Sequence, residues 1–124
     1  MFGKKKSELR VQHYEGIDLP INFPCTIEIV GENFEIKQKK NNSVISLPMQ
    51  RIFSFSAMVE EDFMLKYHNE ATKTAKFGNK YYLVVDYESK DGSRSYLAFW
   101  GTEKEYRTFL KWQAEYKKQE NTIL

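Results

Sequence analysis

The chain is poor in the residues from which most catalytic centres are built. It has one cysteine, Cys25, and two histidines, His13 and His68. A lone thiol forms no internal disulfide, and one cysteine holds zinc only with histidine help. The six glycines are scattered. None falls in a GxGxxG or GxxxxGK[ST] pattern, so no phosphate-cradling loop is expected. His13 and His68 sit in contexts that offer no Ser-His-Asp arrangement. No apolar run approaches about 18 residues, so no transmembrane helix is expected. The basic start, Met1 to Lys6, leads into polar residues from Ser7 rather than an apolar stretch. No secretory signal is therefore expected, and the default compartment is the cytoplasm. Charge of one sign is scarce too: 19 Lys and Arg against 17 Asp and Glu leave a net +2. That excludes a strongly basic nucleic-acid binder on bulk electrostatics, though not a local patch.

Aromatics are what the chain has in quantity. They make 15% of its 124 residues, within a hydrophobic share of 41%. Such a length allows one domain with a real core, and this much apolar surface offsets the entropy of ordering the chain. Aromatic side chains favour pleated, half-buried surfaces, so the bias is towards β-structure. Residues 1–8 are expected to be a basic, flexible start, 9–119 a single domain, and 120–124 a frayed tail.

Residues 8–23 are hard to assign. Leu9, Val11 and His13 alternate as in a short strand or extended arm, before Gly16, Pro20 and Pro24 punctuate the chain. Cys25 to Val30 alternates, with Cys25, Ile27 and Ile29 on one face. Phe34 to Lys39 alternates again. Asn41-Asn42 makes a good tight turn, since asparagine tolerates positive φ. Ser43 to Leu47 follows, ended by Pro48. Arg51 to Met58 reads as a fourth strand with Phe53, Phe55 and Ala57 on one face. From Val59 to Lys80 the pattern is ambiguous: Glu60 to Tyr67 fits a short helix or an irregular strand, and His68 to Asn79 a long exposed loop. Tyr81–Tyr87 and Arg94–Trp100 read as a hairpin joined at Asp91-Gly92. Thr102 and Glu105 then form a capping box. Tyr106, Phe109, Leu110, Trp112 and Tyr116 share about 160° of arc at about 100° per residue. That helix must cover something, and the hairpin before it is the nearest candidate. The expected object is a sheet sandwich or barrel in which residues 25–100 curl into a closed antiparallel shell and the segment begun at Thr102 plugs its open end through Phe109.

Several short pieces go further: Met1 to Lys6, His13-Tyr14-Glu15-Gly16, Lys80 to Tyr87 and Tyr96 to Gly101. With the order meander, fourth strand, hairpin and helix, the chain resembles small pleckstrin-homology-like (PH-like) proteins of Gram-positive bacteria and their mobile elements. The likeness runs from about His13 to Lys117. It implies a mainly β fold: a seven-stranded antiparallel sandwich or partly open barrel capped by one C-terminal α-helix. It carries over no catalytic set.

Candidate chemistry is sparse. His13 beside Glu15, with His68, offers a general base or half a metal site, against a local packing role. Cys25 lies in register with Ile27 and Ile29, which makes it a core residue rather than a nucleophile. Glu60-Glu61-Asp62 lacks calcium-loop spacing. Lys37, Lys39 and Lys40 flank a hairpin turn, and Lys4, Lys5 and Lys6 follow Phe2. Both groups are candidates for anionic lipid headgroups, against solvated or edge-protecting roles. The aromatics among Lys80, Lys90 and Arg94 can stack bases only if they do not face the core, so nucleic acid is not expected. Neither a cofactor nor a metal is expected. The reading favoured by these features is a non-enzymatic binding or scaffolding module. Its partner is a protein, a peptide or a second copy, taken at a strand edge or beside the terminal helix. Trp112 and Tyr116 are the candidate rim residues there, provided they are not fully buried. The alternative is a peripheral membrane module.

Overall fold

A computed structural model describes residues 8–38, 43–70 and 80–116. Among these residues seven strands and two helices follow one another: β1 (Leu9–Glu15), β2 (Phe23–Val30), β3 (Asn33–Gln38), β4 (Ser43–Pro48), a 3-10 turn (Met49–Arg51), β5 (Ile52–Val59), α1 (Glu60–His68), β6 (Tyr81–Glu88), β7 (Arg94–Gly101) and α2 (Glu103–Glu115). The ambiguous 8–23 segment thus supplies a full strand, and Glu60 onward is the short helix. The Asn41-Asn42 turn and the 71–79 stretch of the expected loop lie outside the described residues.

All strands join one antiparallel sheet in the order β4-β3-β2-β1-β7-β6-β5. β1 is the centre, linking the β2–β4 meander to the β5–β7 half. The expected closed shell is not formed. β4 and β5 are the two edges and share no ladder among the described residues. The sheet is mainly β, uncapped at its seam, and covered at the end by α2.

The inner face of the sheet carries the main core. Ile27, Ile29, Phe34, Ile36, Leu83, Phe99 and Phe109 are essentially inaccessible there. α2 packs chiefly on β5, with fewer contacts to the hairpin it was expected to cover. The reason is reach: Phe109 meets the Phe55 ring edge-on at 5.5 Å, and Trp112 lies 6.4 Å from Phe34. These aromatics span from the β5 edge towards the meander, which a helix lying on the hairpin alone would not do. The capping box forms as expected, with Glu105 Oε1 accepting from Thr102 N–H at 2.8 Å and Oγ1–H at 2.6 Å.

One strand face departs from simple alternation. A bulge between Ile52 and Ser54 places Ile52, not Phe53, in register with Phe55. Ile52 enters the core. Phe53 sits half-buried under the Arg94 guanidinium, 4.6 Å from its ring centre.

The outer face of the β5–β7 half is covered as well. Tyr82, Val84 and Ala98 form a second cluster with Phe63 and Met64 of α1. Phe63 stacks on Tyr82 with ring centres 4.3 Å apart and planes 7° from parallel. β6 is therefore buried on both sides: Leu83 and Val85 serve the inner core, Tyr82 and Val84 the outer cluster.

Candidate functional site

The chemistry-bearing side chains converge on that outer face, and a second bulge puts them there. Along β1, His13 pairs with Phe99 and Glu15 with Ala98, so Tyr14 is the extra residue. Regular alternation sends His13 and Glu15 to the same face. The bulge turns Glu15 to the opposite one. Gly16 completes the manoeuvre at φ 109°, where a Cβ would meet the Tyr96 carbonyl oxygen at 2.5 Å. Only glycine allows β1 to approach β7 so closely.

Glu15 then meets α1. Its Oε1 accepts from His68 Nε2–H at 2.8 Å and from Tyr96 O–H at 2.7 Å. Around it the tyrosines pack edge to face, with Tyr14 against Phe63, His68 and Tyr82. Tyr67 lies over Tyr96 at 4.6 Å and donates to Asp86 Oδ2 at 3.4 Å, and Ser54 Oγ–H donates to the same oxygen at 3.3 Å. Tyr82 O–H reaches Glu60 Oε2 at 3.4 Å. Burial, followed by the neighbouring carboxylates, holds these phenols protonated well past the ordinary range. Tyr67 is pushed up to about 12, and Tyr14, Tyr82 and Tyr96 are raised as well. An open depression of about 410 Å³ adjoins the cluster, lined by Glu15, Gly16, Tyr87, Arg94, Ser95 and Tyr96.

The three candidates for general-base chemistry do not all meet. Glu15 and His68 form a carboxylate–imidazole pair. His13 faces the core, 1% exposed, with its ring edge-on to Phe99. Its Nδ1–H donates to the Pro20 carbonyl at 3.1 Å and its Nε2 accepts from Ile17 N–H at 3.3 Å. A carbonyl only accepts and an amide N–H only donates, so the two bonds specify one neutral tautomer. His13 thus holds the loop after β1. Cys25 is buried in the core, its thiol pushed up to about 12 by burial. Glu60, Glu61 and Asp62 occupy the first turn of α1, where carboxylates favour the helix N-terminus. Among the described residues, no three His, Cys, Asp or Glu side chains gather as metal ligands.

The docking candidates separate in the same way. Trp112 is 5% exposed, packed on Phe34, Phe55 and Phe109. It is a core residue and not a rim. Tyr116 is half-buried against Phe55, ring centres 6.1 Å apart. The space between α2 and β5 is occupied by the chain itself, because Gln113 Oε1 accepts from the Ala57 N–H at 3.0 Å. Lys37 is ion-paired to Glu28, and this hydrogen bond raises its pKa. It shares a cross-strand row with Arg10, Thr26 and Val44, beside a depression of about 220 Å³ that Glu8 also lines. Lys4, Lys5, Lys6, Lys39 and Lys40 lie outside the described residues.

Sequence reasoning missed Tyr67, Asp86 and Tyr96 as partners in one cluster. The available signal was the run from Tyr81 to Tyr87. Its apolar residues occupy both parities, which marks a strand covered on both faces. No family model matches this chain, and no curated protein matches it either.

Proposed function

We propose that the chain is a PH-like, non-enzymatic binding module that takes a protein or peptide strand along β4. The observation that carries this reading is the inequality of the two sheet edges. At β5 the edge is bulged, overlain by α2, and its Ala57 N–H is occupied by Gln113. Among the described residues β4 has one ladder, with β3, and Ser43–Pro48 contains no charged residue. Natural sheets protect an edge with charge, proline, bulges or a covering element. Of these β4 shows, among the described residues, only Pro48 at its last position, which leaves residues 44–47 as a template for strand addition. The strand order, the seven strands and the terminal helix support the PH-like part of the proposal. The Glu15–His68–Tyr96 cluster is best read as the clasp that holds α1 on the sheet, since both donors end on one carboxylate oxygen. A membrane-surface role has less behind it: of its six lysines only Lys37 is described, and Glu28 already neutralises it.

The test is selection of binders from a random peptide library on the full chain, followed by amide-shift mapping of the bound peptides. Shifts concentrated in β3 and β4 are expected. Binders that map to α1 or to the α2–β5 junction, or no binders at all, would contradict the reading.

A further inference from the structure

The geometry points to one partner in particular: β4 pairs antiparallel with β4 of a second copy of this chain, about a two-fold axis at Ser46. This rests on the edge-docking reading above and names its occupant. A two-fold axis perpendicular to a sheet sets one residue opposite its own copy, and directly opposed residues share a face. The two registers that overlap most of β4 centre on Ile45 or on Ser46. Centring on Ile45 sets polar Ser43 against Leu47 of the second copy on the inner face. Centring on Ser46 sets Ile45 against Leu47 and Val44 against Pro48 of the second copy.

The second register extends what the fold already has. Within the chain, Ile36 pairs with Ile45 and Phe34 with Leu47. Across the seam these rows run Ile36, Ile45, then Leu47 and Phe34 of the second copy, all apolar. Ile45 is only partly buried and Val44 is 53% exposed, so both have surface left to cover. On the outer face exposed Ser46 meets its copy. The charged residues that pair with β4, Glu35 and Lys37 opposed to Ser46 and Val44, stand one strand back on β3. Within Ser43–Pro48 no like charges therefore face one another, where they would repel. A single strand pair buries little area, so the association belongs to the weak class.

The test uses sedimentation of the full chain up to about 1 mM, within reach of weak interfaces, and cysteine cross-linking. We expect a concentration-dependent dimer. Ser46→Cys should cross-link to its copy on oxidation, and Val44→Cys, offset from its own copy, should not. The native Cys25 is buried and does not interfere. Ser46→Lys sets two lysines face to face and should weaken the dimer about fivefold or more, while circular dichroism shows an unchanged fold. A chain that stays monomeric, or a dimer in which both cysteines cross-link equally and Ser46→Lys changes nothing, overturns the inference. If the chain is a monomer but selected peptides still map to β4, self-pairing fails and edge docking stands. If peptides fail as well, both fall.

Discussion

The two halves of the sheet are built differently. The β5–β7 half is covered on both faces, by α2 and the meander inside and by α1 outside, and its edge is closed by Gln113. The β2–β4 half is covered on its inner face and ends in an uncharged strand. The difference lies in the side chains. Where both parities of a strand are apolar, as from Tyr82 to Val85, a second layer is required. Where they alternate, as in Asn33–Gln38, no second layer is required. Among the described residues the fold is thus closed and layered at one side and open at the other, and the open side is where we propose that a partner docks.

Substitutions can break this comparison. Gly16→Ala should have the largest effect. Its Cβ would sit 2.5 Å from the Tyr96 carbonyl oxygen at a φ of 109°, and a loss of about 4 kcal/mol or more is expected, enough to unfold a marginal domain. Denaturant unfolding measures it. Phe63→Ala asks whether the outer layer is structural. Phe63 is fully buried, so the cost should be about 3–5 kcal/mol, equal to that of Phe109→Ala in the inner core. A loss below about 1 kcal/mol, the scale of surface changes, would make α1 an appendage.

Alkali should attack the outer cluster selectively. Tyr67 titrates near 12 in the folded chain, and Tyr14, Tyr82 and Tyr96 are raised too. The unfolded chain loses these protons first, near pH 10. Stability is therefore intact below about pH 10 and falls as pH rises towards 12. Urea unfolding between pH 8 and pH 11 should show the decline, and Tyr67→Phe should flatten it. Glu15→Ala removes the acceptor of His68 and Tyr96. The site is about a third exposed, so the cost should be about 1 kcal/mol, with a larger loss of protection in α1 than elsewhere. Gln113→Ala should be the mildest, about 0.5 kcal/mol, and should free the Ala57 amide to exchange.

Much of the fold was legible from residue order. The meander strands, the hairpin and the capped terminal helix follow from alternation, turn residues and the Thr102–Glu105 pair, all of which are local. What escaped was non-local. β1 carries only Leu9, Val11 and His13 as inward residues, too few to mark the centre of a sheet. The bulges at Tyr14 and Phe53 re-aim side chains by one extra residue, which no periodicity announces. The candidate site depends on the first of these, because Glu15 reaches His68 only by leaving the face of His13. Trp112 sits on the same helical arc as Phe109, and an arc alone does not separate a rim residue from a core one.

The unequal edges are the claim most directly open to measurement. Amide hydrogen exchange on dilute protein should find the Ala57 amide protected like an interior ladder amide, while the β4 amides directed away from β3 exchange nearly as fast as open chain. Equal protection along β4 and β5 would contradict the account.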